Sequence, residues 1–133
     1  MMRQFSVGTS RREEFVDITG EVARLVAEAG LMEGAVLVYS PHTTAGITIN
    51  EGADPDVKRD MVAHLARLVP QHPDFRHAEG NSDAHIKVSL MGPSQLVPVS
   101  GGRMALGTWQ HIYLCEFDGP RRRTVLVQML PGL

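Results

Sequence analysis

The sequence is short of the features that mark several large protein classes. One cysteine, Cys115, among 133 residues excludes an intrachain disulfide and any multi-cysteine zinc site, which fits a reducing compartment. No apolar run approaches the roughly 20 residues that span a bilayer, so no membrane partner is expected. The formal charge of −2 supplies no broad positive field, so no nucleic-acid partner is expected either, although Arg121-Arg122-Arg123 can hold one anion locally. Glycine-rich nucleotide motifs are missing, since Gly101-Gly102 stands in a hairpin context and not before a helix. Ser40-Pro41 and Ser89 lack the flanking glycines of a nucleophile elbow. There is no internal repeat, low-complexity tract or long linker. Met1-Met2-Arg3-Gln4-Phe5-Ser6 shows neither the charged nor the apolar region of a secretory signal, and a cytoplasmic location is the expectation.

What is present is ordinary globular material, 43% hydrophobic and 21% charged, and the expectation is one domain over residues 1–133. Residues 2–8 alternate weakly as a strand. Thr19 stands where a helix cap would be, before a helix over 20–29 with Val22, Leu25, Val26 and Ala29 on one face, closed by Gly30. Residues 35–40 read as a buried strand and Thr44 to Asn50 as a second. Asp54-Pro55 combines an N-cap with a proline at the first helical position, and Val57, Met61, Leu65 and Leu68 make the apolar stripe of a helix over 55–68. From Pro70 to Asp83 the chain is polar and rich in loop formers. His85–Met91 alternates His85, Lys87 and Ser89 against Ile86, Val88 and Leu90, which predicts a strand. Further strands follow at about 95–99, 103–106, 109–118 and 123–130. Two main helices among seven or so strands, with many hairpins, predict a compact α+β domain with a mostly antiparallel or mixed sheet.

Cys115 falls inside the strand expected over about 109–118, where an inert buried thiol is the expected state. The remaining candidates are polar groups at strand ends and loops. Ser40-Pro41-His42-Thr43-Thr44 breaks two apolar runs and exposes an imidazole and hydroxyls; a plain turn bonded to its own backbone is the competing reading. Asp54 reads as the cap, which leaves Glu51 free to orient a histidine or act as a base. His77, Asn81, Asp83 and His85 come from the long loop and the segment after it. A loop can fold the imidazoles of His77 and His85 onto one centre with His42, giving an open three-ligand site for a divalent ion, zinc or magnesium. A face carrying His85, Lys87 and Ser89 suits phosphate oxygens instead. Trp109 offers an aromatic wall, and Gln110 inside an apolar strand asks for a partner. His64, His72 and His111 lack supporting neighbours in the sequence.

In order, Pro41-His42-Thr43-Thr44-Ala45-Gly46-Ile47-Thr48-Ile49-Asn50-Glu51, Asp54-Pro55, the run from Asn81 to Gly92, Gly107-Thr108-Trp109-Gln110 and Glu116-Phe117-Asp118-Gly119-Pro120-Arg121 resemble the YjbQ family. The resemblance implies a small α+β fold in a homotrimer. It also implies a weak, secondary thiamine-phosphate synthase activity that joins a pyrimidine pyrophosphate to a thiazole phosphate. Lys87, Arg121 and a bound metal would then stabilise the leaving pyrophosphate, with Trp109 against the rings and Thr44, Asn81, Ser89 and Gln110 lining the substrate site. The expectation is therefore an enzyme on a phosphorylated small molecule, with Glu51 and His85 in the chemistry. Two rivals stand beside it: a trimeric module that holds a metal or anion without catalysis, and histidines that merely cap a polar cavity.

Overall fold

The computed structural model describes residues 1–132. Along the chain run β1 (Met2–Gly8), β2 (Glu14–Asp17), α1 (Thr19–Ala29), β3 (Glu33–Tyr39) and β4 (Ala45–Glu51). Then come α2 (Pro55–Leu68), α3 (Ser82–Met91), β5 (Ser94–Ser100), β6 (Arg103–Met104), β7 (Gln110–Glu116) and β8 (Arg122–Pro131). The strands form a five-stranded sheet, β1-β8-β3-β5-β6, and a three-stranded sheet, β2-β7-β4, with every pair antiparallel. The fold is α+β, as the hairpin-rich sequence predicts.

Strand alternation explains the layering, because successive side chains point to opposite faces. In β7, Ile112 and Leu114 join the core shared by the two sheets and α1, together with Val22, Val26, Val36, Val97 and Val127. Tyr113 and Cys115 point the other way, into a second core with Phe15, Phe117, Ala84 and Val88, roofed by half-buried Met61, Val62 and Leu65 of α2. Burial pushes the Cys115 thiol far up, so this sulfur is inert. The outer face of the large sheet is covered by nothing among the described residues. Its register aligns Met2, Gln128, Leu37 and Leu96 across four strands, with Leu126 and Tyr39 beside them.

Two helix ends match their sequence signals. Gly30 closes α1 at φ 68°, and the Asp54 carboxylate accepts from the Asp56 N–H at 2.9 Å. Thr19 does not cap α1; Ile18 holds that position, and the Thr19 hydroxyl donates to Asp17 and accepts from the Ile112 N–H.

The main correction concerns His85–Met91, which is not a strand but most of a third helix. Its inward stripe is Ala84, Lys87, Val88 and Met91, spaced i, i+3, i+4, i+7. Lys87 is the polar member of that stripe and 1% exposed, so the helical period is hidden unless a buried lysine is allowed. β2, four residues long, was also not expected from the pattern.

Candidate functional site

The polar residues singled out from the sequence fall at the two ends of the three-stranded sheet. β4 is seven residues long, so Thr44 and Glu51 stand roughly 20 Å apart along it, at about 3.3 Å per residue. Glu51 therefore cannot orient a histidine at the Thr44 end of the same chain.

At the Thr44 end, the charges sit in two buried networks. Arg123 pairs with Glu116 through both nitrogens it offers, and the same guanidinium donates to the Thr44 hydroxyl at 2.9 Å. Thr9 donates its hydroxyl to Glu116 at 2.7 Å. Burial would raise the Glu116 carboxyl, but the hydrogen bonds from Arg123 and Thr9 outweigh it and hold the group below its ordinary range. Thr44 thus serves the ion pair and does not face open solvent.

In the second network Lys87 Nζ donates to Glu13 at 2.7 Å and to Asp83 at 2.9 Å, while Arg12 grips Asp83 from the other side at 3.1 and 3.2 Å. Burial again opposes the charge on Asp83, and Arg12 and Lys87 reverse it, so its pKa lies below the ordinary value. The expected face of His85, Lys87 and Ser89 does not exist. A helix sends Lys87 inward, and the Ser89 hydroxyl bonds back to the His85 carbonyl at 3.1 Å.

His42 lies where β3 leaves the large sheet. Its Nε2 accepts the Thr124 N–H at 2.9 Å, filling an edge position that β3 no longer pairs. Burial, then the nearby Arg123 charge, lowers its pKa, so the ring stays neutral with its proton on Nδ1. The Nε2 lone pair is taken, and Nδ1 is a donor; as placed, His42 offers no free nitrogen to a metal.

His77 and His85 do come together. Their rings meet edge to face with centroids 5.4 Å apart, and Glu79 lies 4.0 Å from His77 Nε2. Beside them Asn81, the residue just before α3, is 5% exposed, donates through Nδ2 to Asp118 at 2.7 Å and leaves its Oδ1 buried without a partner. Arg121 donates to the same Asp118 at 3.0 Å and remains exposed. Among the described residues of one chain, no three His, Cys, Asp or Glu side chains are placed to hold one ion. The expected His42–His77–His85 centre is thus not assembled within a chain, since His42 is held at the β8 edge.

The far end carries Glu51, Trp109 and Gln110. Glu51 accepts the Ala53 N–H at 2.9 Å, Gln110 accepts the Gly107 N–H at 2.8 Å, and Trp109 is 62% exposed. Gln110 thus stabilises its own turn, which answers its need for a partner. His111 is the residue missed here: its Nδ1 lies 2.6 Å from Asp17, and its ring lies so close over Gly52 that a Cβ there would collide with it. Asp17 belongs to the unexpected strand β2, and no local pattern brings it to His111.

Two antiparallel sheets, two helices over the smaller one and saturated charge networks at one of its ends define a small α+β protein with an imidazole pair at its surface. The chain belongs to the YjbQ-like UPF0047 family, whose description, "UPF0047 protein YjbQ-like", matches residues 3–132. It is 53% identical to the UPF0047 protein YugU of Bacillus subtilis, over 98% of this chain and 99% of that one. It is 49% identical to a UPF0047 protein of Methanocaldococcus jannaschii, over 98% and 94%. The fold superposes on a crystal structure of a YjbQ/UPF0047 protein from Clostridium acetobutylicum with a TM-score of 0.94 at 52% identity, covering 96% and 99% of the two chains. A hypothetical protein of Aeropyrum pernix gives 0.94 at 38% identity, covering 99% of each. Among the described residues, no helix is long and apolar enough to cross a membrane.

Proposed function

We propose that this chain is an enzyme acting on a phosphorylated small molecule in the cytoplasm, assembled as a homotrimer, with thiamine phosphate formation as a weak activity. The observation that carries the reading is the His77–His85 pair at the start of α3, beside the unpartnered Asn81 oxygen. Two imidazoles, the first free N–H groups of α3 and Arg121 are the kinds of donor that stabilise charge on a departing pyrophosphate. Glu51 and Trp109 then act from another copy, because within one chain both lie at the far end of the three-stranded sheet, Glu51 closing β4 and Trp109 just before β7. The uncovered apolar face of the large sheet supports association, since its Met2, Leu37, Leu96 and Leu126 would lose their contact with water. A zinc or magnesium ion would need a ligand from a second copy added to the imidazole pair.

The test measures thiamine phosphate from the pyrimidine pyrophosphate and thiazole phosphate, with tag-free protein analysed for metal in parallel. His85→Ala and His77→Ala are expected to lower the rate at least about tenfold, with light scattering still at three chain masses. Phosphate held by imidazolium weakens as pH rises, whereas metal binding strengthens as protons leave the ligands. Unchanged rates in both variants, or a monomer at micromolar concentration, sink the reading.

A further inference from the structure

A cavity of about 510 Å³ opens away from the imidazole pair, between β2 and α2, and neither His77 nor His85 lines it. That size lies within the roughly 300–1,000 Å³ of small-molecule sites. Its floor is apolar: Phe15, which is buried and packs against Tyr113 and Phe117, and Val62 of α2. Its rim carries three cations, Arg11, Lys58 and Arg59, against two carboxylates, Glu13 and Glu14.

The partners of these charges decide what is left over. Glu13 is engaged by Lys87 at 2.7 Å and Arg12 at 3.0 Å, neither of which lines the cavity. Glu14 accepts from the Ser10 N–H and hydroxyl and from the Arg11 backbone N–H. Arg59 lies 3.7 Å from Asp56 on its own helix. Among the described residues, the Arg11 guanidinium and the Lys58 ammonium have no carboxylate within ion-pair distance. Lys58 is half-buried and rests over the Tyr113 ring, 5.8 Å from its centroid, so a π-face is its neighbour where an acid would be expected. Two unpaired cations over an aromatic floor suit a compact anionic head on a flat apolar body.

We propose that this groove binds an aromatic phosphate monoester or carboxylate, with the anionic head between Arg11 and Lys58 and the ring on Phe15 and Val62. The site is separate from the imidazole pair and does not depend on the reading of that pair. Both rim carboxylates are already engaged by neighbours of their own, so the inference is of binding alone.

The experiment titrates the full-length protein with phenyl phosphate, benzoate and inorganic phosphate, following backbone amide shifts. Phenyl phosphate or benzoate is expected to shift residues 10–15 and 55–63 and to bind at least about tenfold tighter than inorganic phosphate; the tighter of the two names the head group. The double variant Arg11→Met, Lys58→Met is expected to lose at least about tenfold in affinity at an unchanged unfolding midpoint, and Lys58→Arg to retain binding. His85→Ala is expected to leave the groove titration as it was. The proposal is overturned if neither aromatic anion shifts groove residues at millimolar concentration or if inorganic phosphate binds as well. Loss of binding in His85→Ala, or an undiminished affinity in a folded double variant, also overturns it.

Discussion

The two ends of the three-stranded sheet use the same residue types to opposite purpose. At the Thr44 end, Arg123, Glu116, Lys87 and Asp83 are withdrawn from water, and each charge meets an opposite one plus at least one further hydrogen bond. At the Glu51 end, the Asp17–His111 pair stays about two-fifths exposed, at 42% and 38%, although Asp17 also accepts from the Thr19 N–H and hydroxyl. The difference shows that polarity alone does not mark a site. A fully partnered buried charge is architecture, and the chemistry is to be sought among groups such as Asn81 Oδ1 and the imidazole pair that the architecture leaves unsatisfied.

The comparison breaks first at the buried pair. Glu116→Ala strands the Arg123 guanidinium and is expected to cost about 3–5 kcal/mol in denaturant unfolding; a loss near zero would mean that the Thr44 end is as loosely held as the other. A second, smaller effect sharpens it through pH. Asp83 and Glu116 have folded-state pKa values below their unfolded ones, so the stability they contribute is present above about pH 4–5 and is lost as pH falls through the folded values. The unfolding midpoint should therefore drop steeply on acidification below pH 4, and Asp83→Asn should flatten that slope while lowering stability at neutral pH. The smallest effect belongs to the exposed end. Asp17→Asn should cost below about 1 kcal/mol, because solvent screens a pair so open; a larger loss measured by the same unfolding assay would place Asp17 among the architectural charges.

Much of the fold was legible because it rests on period and capping. The Met61 and Leu65 part of the α2 stripe, its Asp54-Pro55 start and the αL glycine after α1 all announce themselves locally, whereas Leu68, the last member expected of that stripe, is 61% exposed. α3 did not, because the second residue of its inward stripe is a lysine whose partners, Glu13 and Asp83, lie 74 and 4 residues away. Read with Lys87 as polar, the run looks two-fold; read with it as buried, it is helical. The site was legible in part for the same reason. His77 and His85 are joined by one loop and meet, whereas His42 is taken by the β8 edge, a demand set by where β3 ends. The separation of Thr44 from Glu51 was available from strand length alone.

α2 contributes no fully buried residue over its 14 positions, and its apolar stripe merely rests on the second core. Its hold on the molecule is correspondingly slight, while β7 beneath it is enclosed on both sides. Such a helix belongs to the low-free-energy end of the opening spectrum, where a segment lifts off and returns while the sheets stay folded. The wall formed by α2 is therefore expected to open before either sheet does.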